Sequence, residues 1–569
     1  MATDTAESLL DHDHEGEVHI PSDSDDDADT GVVSSGLPQG RKHRLVSVGS
    51  LGSGDGTHRS WFHRFCLGMR KFWAYTGPGW LMSIAYLDPG NLTSDLQSGV
   101  VSGYSLGWVL FWSTVFGLIL QVMAARLGVV TGKGLSVVCR ENYNKAPRIA
   151  LWLCIELAVL CADVQEVVGS SIALKLLFGM PLWAGVLLTG LDTFFILAIE
   201  KCGVRKLEFV FAILIVLLAA CFFIVFGMGG PDWASICEGI GLPDIPLGTV
   251  EQAVGTLGAV VMPHNIFLHS SLVLSRNVDR TSKRKTDEAI FYFTLEAAIS
   301  LFVSFLINMA IVAVFAQQFY PARAVCPPGE QCTSQIGLST AGSALSDALG
   351  STGAQTIWAL GVLAAGQAST LTGTYAGQFI MTGFLNLTNF PAWQRAAITR
   401  SIALVPAVIV AVASKGFFDE LNELLNVVQS IILPFALLPL LKATNSKRIM
   451  GPYHNHGCWK IAGWALSVTV IVTNFYLVAL TLAGSIDTWW EWTILVVVGM
   501  VYAAWCFFLF KTTLVPQQQK QDATALLRAH EDGTPLAWWE EKGWRSESGG
   551  TEAEMRGVSA EGPGINGHV

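Results

Sequence analysis

Two short polar clusters interrupt apolar runs of the kind that a bilayer accepts. Asp88-Pro89-Gly90-Asn91 follows Gly79-Trp80-Leu81-Met82-Ser83-Ile84-Ala85-Tyr86-Leu87, and Met262-Pro263-His264-Asn265 follows Ala259-Val260-Val261. A proline removes a backbone donor and clashes with the preceding turn, and Gly90 relaxes the chain further. Helix breaks are therefore expected at Pro89, Gly90 and Pro263. Carbonyls freed in mid-membrane are tolerated only where they line a cavity or hold something. One proline kink is ordinary in a membrane helix. Two breaks, each with its own polar cluster and at corresponding positions of two halves, point to the binding site of a transporter.

The donor types indicate what would bind. Asp88 offers a carboxylate, Asn91 a carbonyl oxygen, Met262 a thioether, and unwound backbone near Ala85 and Ala259 offers further oxygens. Hard oxygens with one soft sulfur suit a divalent transition metal such as Mn²⁺ or Fe²⁺, the thioether disfavouring Ca²⁺ and Mg²⁺. For an isolated methionine in a membrane, plain packing is the commoner role. Only its place beside Pro263, matching Asp88 in the other half, lifts Met262 above that.

The elements that must position these groups follow from composition. The chain has 569 residues, 51% hydrophobic and 14% charged, with a mean hydropathy of +0.46. A soluble domain carries roughly 25% charged residues, so a soluble enzyme, a nucleic-acid binder and a disordered protein are all poor readings. The net charge of −10 is concentrated, since residues 1–40 hold eleven acidic side chains and no Lys or Arg. Eleven cysteines without a CxxC pair suggest neither a zinc module nor a disulfide scaffold. The fold expected is an all-α polytopic membrane protein.

Residues 1–72 read as a disordered cytosolic tail, 73–510 as the transmembrane domain and 511–569 as a second cytosolic tail. Twelve apolar segments are long enough to cross, at about 20 residues each. Their limits are 75–98, 104–127, 149–174, 181–200, 207–228, 248–273, 288–316, 340–384, 396–414, 420–441, 460–483 and 489–510. The eighth is too long for one span, so part of it is expected at the interface or in a loop. With both tails cytosolic, seventeen Lys and Arg lie in cytosolic connections against three (Lys175, Arg323 and Lys415) on the far side. That is a strong positive-inside bias. On the far side Cys326 and Cys332 share a short loop, where a pair and two free thiols are equally good readings.

The third span carries Glu156, Asp163 and Glu166, whose spacings of seven and three put them on one helical face. The stripe is about 15 Å long at the helical rise. Ionisable groups inside a membrane mark ion paths or proton relays; bracing against Arg395 or Arg400 of the ninth span is the structural alternative, and the two are compatible. His264 can titrate near neutrality, while His269 is expected to be packed. Gly128-Val129-Val130-Thr131-Gly132-Lys133-Gly134 misses a phosphate loop by one residue and lacks the Ser or Thr after the Lys. Neither ATP drive nor any enzyme activity is expected.

Asp88-Pro89-Gly90-Asn91, Met262-Pro263-His264-Asn265 and Gly366-Gln367-Ala368-Ser369-Thr370-Leu371-Thr372-Gly373-Thr374-Tyr375-Ala376-Gly377-Gln378-Phe379 resemble the signatures of the Nramp family (natural resistance-associated macrophage proteins). The resemblance runs from about Phe72 to Phe510. Gly203-Val204-Arg205-Lys206-Leu207-Glu208 and Ile398-Thr399-Arg400-Ser401 make it most similar to plant and green-lineage members. It implies a LeuT-like fold of two inverted five-helix repeats, with the first and sixth helices broken and two helices added. It also implies symport of Mn²⁺ or Fe²⁺, with Cd²⁺, Co²⁺ and Zn²⁺ as further candidates, together with protons. Metal ligands carried over are Asp88, Asn91, Met262 and the carbonyls of Ala85 and Ala259, with Gln429 joining in some states. The proton path runs along Asp163 and Glu166, with Asp88, His264, Arg395 and Arg400 taking part.

On this reading the ions are cargo, no cofactor is needed, the lipid bilayer is the solvent, nucleic acid is no partner, and a monomer is the working expectation. A vacuolar or endosomal membrane is slightly favoured over the cell surface. Two alternatives are a Na⁺-coupled solute symporter on the same fold, disfavoured by Met262 and the acidic third span, and an Nramp-like membrane receptor, disfavoured by the short C-terminal tail. In the tails, Asp11-His12-Asp13-His14-Glu15 reads as a solvated acidic segment, and Trp538, Trp539 and Trp544 as surface-resting aromatics.

Overall fold

The computed structural model describes residues 46–47, 61–200, 204–324, 336–386, scattered positions between 394 and 409, 418–483 and 489–512. Within them the secondary structure is helical apart from one parallel pairing of Val46–Ser47 with Arg276–Asn277. Arg395, Arg400, Cys326, Cys332 and the tail residues His12, His14, Trp538, Trp539 and Trp544 lie outside the described residues.

The first apolar segment forms two helices, Pro78–Ile84 and Pro89–Ser102. Prolines at their first positions suit both, because an N-terminal turn has no use for that N–H. The second segment is the unbroken helix Gly107–Thr131, ended by Gly132 at a φ of 68°. The third, Lys145–Phe178, ends at Gly179 and turns by 119° into Leu182–Leu191, the start of Leu182–Glu200. Val204–Gly229 follows. The sixth segment again forms two helices, Val250–Val260 and Pro263–Leu272. The seventh is the long helix Lys283–Ala324.

The overlong eighth segment resolves into Leu338–Leu349 and Thr352–Leu385, parted at Gly350. Last come Phe418–Asn445, Cys458–Ala483 and Trp489–Lys511. Lys442 donates to the carbonyls of Leu509 and Thr512, tying the end of the last helix to Phe418–Asn445. One boundary differs from expectation: residues 61–72, read as tail, belong to the helix Trp61–Tyr75. Its Trp, Phe and Arg residues gave no span-length apolar run to detect.

Burial decides the solvent. Leu191, Phe209, Val216, Phe302, Val501 and Phe507 are each more than half exposed on outward faces. Asp88, Asn91, Asp95, Asp163, Gln165, Glu166, Asn308 and Gln429 are meanwhile almost wholly buried. An apolar exterior around a polar interior is costly in water and favourable in lipid. Among the described residues six helices are long and apolar enough to cross a membrane, or seven if the bent pair counts as one span. The chain is an integral membrane protein.

Candidate metal site

Each helix interruption begins with the same arithmetic. In an α-helix the carbonyl of residue i accepts from the N–H of residue i+4. For Ala85 that partner is Pro89, and for Ala259 it is Pro263. Neither proline has an N–H, so both carbonyls lose their helical donor by sequence alone. The Ala85 carbonyl instead receives the Asn265 side-chain amide at 3.3 Å, and the Tyr86 carbonyl receives that of Asn308 at 3.0 Å.

Asp88 caps Pro89–Ser102. Its Oδ1 accepts from the Asn91 backbone N–H at 3.0 Å and from Asn91 Nδ2 at 2.5 Å. Using that amide nitrogen on Asp88 turns the Asn91 oxygen away. Asp88 Oδ2 and Asn91 Oδ1 are both buried and have no hydrogen-bond partner. Met262 caps Pro263–Leu272 from an extended conformation, its side chain 2% exposed. His264 is buried one position past Pro263, and its Nδ1 has no hydrogen-bond partner.

The two interrupted helices are cross-linked on both sides of their breaks. Ser94 and Ser98 meet Thr256 at 3.2 and 3.4 Å, and Gln252 donates to the Ser94 carbonyl at 2.8 Å. On the other side, Asn265 reaches Ala85. The interruptions therefore belong to one buried region.

A ladder of amides fixes a third helix to this region. Asn426 donates to the Gly90 carbonyl at 3.2 Å, Gln165 donates to Asn426 Oδ1 at 2.8 Å, and Gln429 donates to Gln165 Oε1 at 2.8 Å. Every link runs the same way, so each donation polarises the next amide. The terminal oxygen, Gln429 Oε1, is buried without a partner and is a strengthened acceptor. The ladder needs Gly90, since a Cβ there would sit 2.8 Å from Gln165 Oε1.

The assembled atoms share one property. Asp88 Oδ2, Asn91 Oδ1 and Gln429 Oε1 are orphaned acceptors, and the Ala259 carbonyl lacks its helical donor. Each buried orphan costs about 1–3 kcal/mol. A cation would relieve such a set of carboxylate, amide and carbonyl acceptors. Among the described residues no group of three or more His, Cys, Asp or Glu side chains is placed to hold a metal. Any ion site here therefore relies on amide, backbone and sulfur donors beside the one Asp88 carboxylate.

The third helix presents polar residues on two faces. Gln165 looks toward Gly90, and Pro89 abuts Gly169. Asp163 and Glu166 look toward Gly373 in Thr352–Leu385, where a Cβ would fall 2.8 Å from Asp163 Oδ1 and 2.9 Å from Glu166 Oε1. Glu156 is only half-buried.

Several buried polar residues were missed from sequence: Asp95, Gln165, Asn308, Asn422, Asn426 and Glu296. Glu296 accepts the Gly77 N–H at 2.5 Å, just before Pro78–Ile84. Asn422, Asn426 and Gln429 recur at helical spacing, a polar stripe inside an apolar helix that was available as a signal.

The family description "Natural resistance-associated macrophage protein-like" matches residues 79–480. The "Metal transporter nramp1 homolog" of Dictyostelium discoideum is 48% identical over 455 residues, covering 79% of this chain and 82% of that protein. The chain belongs to the Nramp family. A second Nramp relative, "Metal transporter Nramp3" of Arabidopsis thaliana, is 48% identical over 415 residues, covering 72% of this chain and 80% of its own. Among solved structures, the manganese transporter of Eremococcus coleocola aligns with a TM-score of 0.67 at 28% identity, over 82% of this chain and 98% of that one.

Proposed function

We propose that this Nramp protein carries divalent transition metal ions, Mn²⁺ and Fe²⁺ first, toward the cytosol together with protons. The fold is read as twelve spans in a LeuT-like arrangement: two inverted repeats of five, the first and sixth broken, and two spans added. Both tails are cytosolic, and a vacuolar or endosomal membrane is favoured. The observation that carries the reading is the cross-linking of two proline-interrupted helices, with the orphaned Asp88 and Asn91 oxygens at one interruption and the buried Met262 at the other. The names of the relatives, metal transporters and a manganese transporter, support it.

In this reading Asp88, Asn91, Met262, the Ala85 and Ala259 carbonyls and Gln429 hold the metal. Asp88 receives the proton or governs its entry when the metal binds. The proton leaves by Asp163 and Glu166, whose side chains face Gly373 rather than the Gly90 side of the third helix, and His264, Arg395 and Arg400 complete that route. Metal and proton thus part at the third helix.

The test is Mn²⁺ uptake into proteoliposomes under an imposed inward proton gradient, for wild type and Met262→Ala. Gradient-stimulated uptake is expected in wild type. In the variant, Ca²⁺ should compete at least about tenfold better, because the remaining donors are hard oxygens. Wild-type uptake indifferent to a collapsed gradient would remove proton coupling. Unchanged Ca²⁺ competition would remove the role of the sulfur.

Glu166→Gln separates the two routes. It should keep Mn²⁺ binding near the wild-type value while the gradient loses most of its stimulation of uptake. A proportional loss of binding and stimulation would place Glu166 with the metal instead.

A further inference from the structure

We propose that the turn 453–458, between Phe418–Asn445 and Cys458–Ala483, carries a second and exposed divalent metal site built from the imidazoles of His454 and His456. The inference does not depend on the transport reading.

The first observation fixes a tautomer. His454 Nδ1 lies 3.0 Å from the Gly451 carbonyl. A carbonyl oxygen only accepts, so Nδ1 carries the hydrogen, and Nε2 of the neutral ring presents a lone pair. A histidine whose far nitrogen donates to a backbone carbonyl is oriented as metal-binding histidines are. The second observation is spacing. His454 Nε2 and His456 Nδ1 are 3.3 Å apart. Two nitrogens bound to one tetrahedral ion at 2.0–2.1 Å are separated by about 3.3 Å. Without metal the same spacing serves a hydrogen bond from His456 Nδ1–H to His454 Nε2. On binding, the His456 proton moves to its Nε2, both facing nitrogens become donors to the ion, and no net proton is released.

The third observation is rigidity. Asn455, between the two histidines, is 3% exposed. Its backbone N–H donates to the Thr444 carbonyl at 2.8 Å, and its Nδ2 to Thr444 Oγ1 at 2.9 Å. Its Oδ1 accepts from Arg126 at 3.0 Å. Arg126 also holds the Tyr453 carbonyl at 2.7 Å, and the Tyr453 hydroxyl donates to Asp287 at 2.7 Å. With the middle residue pinned inward, the histidines on either side emerge together. His456 is exposed and His454 half-buried, so an ion reaches them from solution. The backbone ordering needed for binding is already present in the protein fold; the two rings, edge to face with centroids 4.3 Å apart and planes at 68°, turn about their side-chain bonds to aim both nitrogens at one ion.

By the affinity order two imidazoles and no carboxylate favour Cu²⁺, Ni²⁺ and Zn²⁺ over Mn²⁺, and the tetrahedral spacing suits Zn²⁺ in particular. This preference is opposite to that of the buried oxygen-rich site.

The test uses full-length protein purified without a polyhistidine tag, in an Asp88→Asn background in which His12, His14, His19, His43, His58, His63, His530 and His568 are also changed to Ala. Cu²⁺ is titrated and followed by electron paramagnetic resonance. The first equivalent should show coupling to two imidazole nitrogens. His454→Ala and His456→Ala should each weaken its affinity at least about tenfold, because losing one arm of a chelate leaves single-ligand binding. Cys458→Ala should change nothing. An unaltered spectrum and affinity in His456→Ala would overturn the site, as would dependence on Cys458. His456 is exposed, so that variant remains informative if His454→Ala perturbs the turn.

Discussion

Asp88→Asn should abolish metal uptake while leaving the protein folded. Asparagine caps helices as well as aspartate does, so acceptance of the Asn91 N–H can survive the change. What disappears is the negative charge and the orphaned Oδ2. If the new amide turns its NH₂ inward, a donor faces the ion. A hydrogen bond to a charged group is worth about 1.5–3 kcal/mol. That is roughly a 10–150-fold loss of affinity, before any loss of proton exchange is counted. Mn²⁺ uptake should fall to the level of empty liposomes, with a thermal midpoint within a few degrees of wild type. Ordinary uptake by this variant would remove Asp88 from both the metal and the proton roles.

Pro263→Ala should lower uptake at least about tenfold without destabilising the protein. Alanine restores the N–H that Ala259 lacks, and a helix interior prefers Ala to Pro by about 3 kcal/mol. Val250–Val260 and Pro263–Leu272 would then be able to run on as one helix. The Ala259 carbonyl would be consumed, and Met262 would rotate from its extended cap onto a helical face. The distinguishing pair of readings is uptake and thermal midpoint on the same preparation. Reduced uptake with an equal or higher midpoint fits a break kept for function. Reduced uptake with a sharply lower midpoint would make Pro263 a structural residue.

The places where helices stop were legible because their cause is local. Pro89 and Pro263 delete specific N–H groups, and the polar residues beside them are conspicuous in apolar surroundings. The split of the eighth segment was foreseen only as excess length, because Gly350 stands among other small residues and its left-handed φ of 61° leaves no mark in composition. The amide ladder was not read at all. Its members, Gly90, Gln165, Asn426 and Gln429, come from three helices, with bonded partners up to 336 positions apart, and which helices adjoin is a tertiary fact. Half of the signal was present even so, in the repeat of Asn422, Asn426 and Gln429 along one helix. The helix Trp61–Tyr75 was lost to its mixed composition.

Because the ladder consists entirely of amides, the frame around Gly90 has no titration of its own. Ionic strength leaves uncharged links largely unscreened, and acid cannot dissolve them by protonating a carboxylate. The girder that holds the third helix and Phe418–Asn445 against the first break should therefore keep the same strength on both faces of a steep proton gradient. An acidic compartment can then load the carboxylates without loosening their support. On the proposed proton route, a proton-dependent change in transport would then report on Asp88, Asp163 and Glu166, not on softening of the scaffold that holds them.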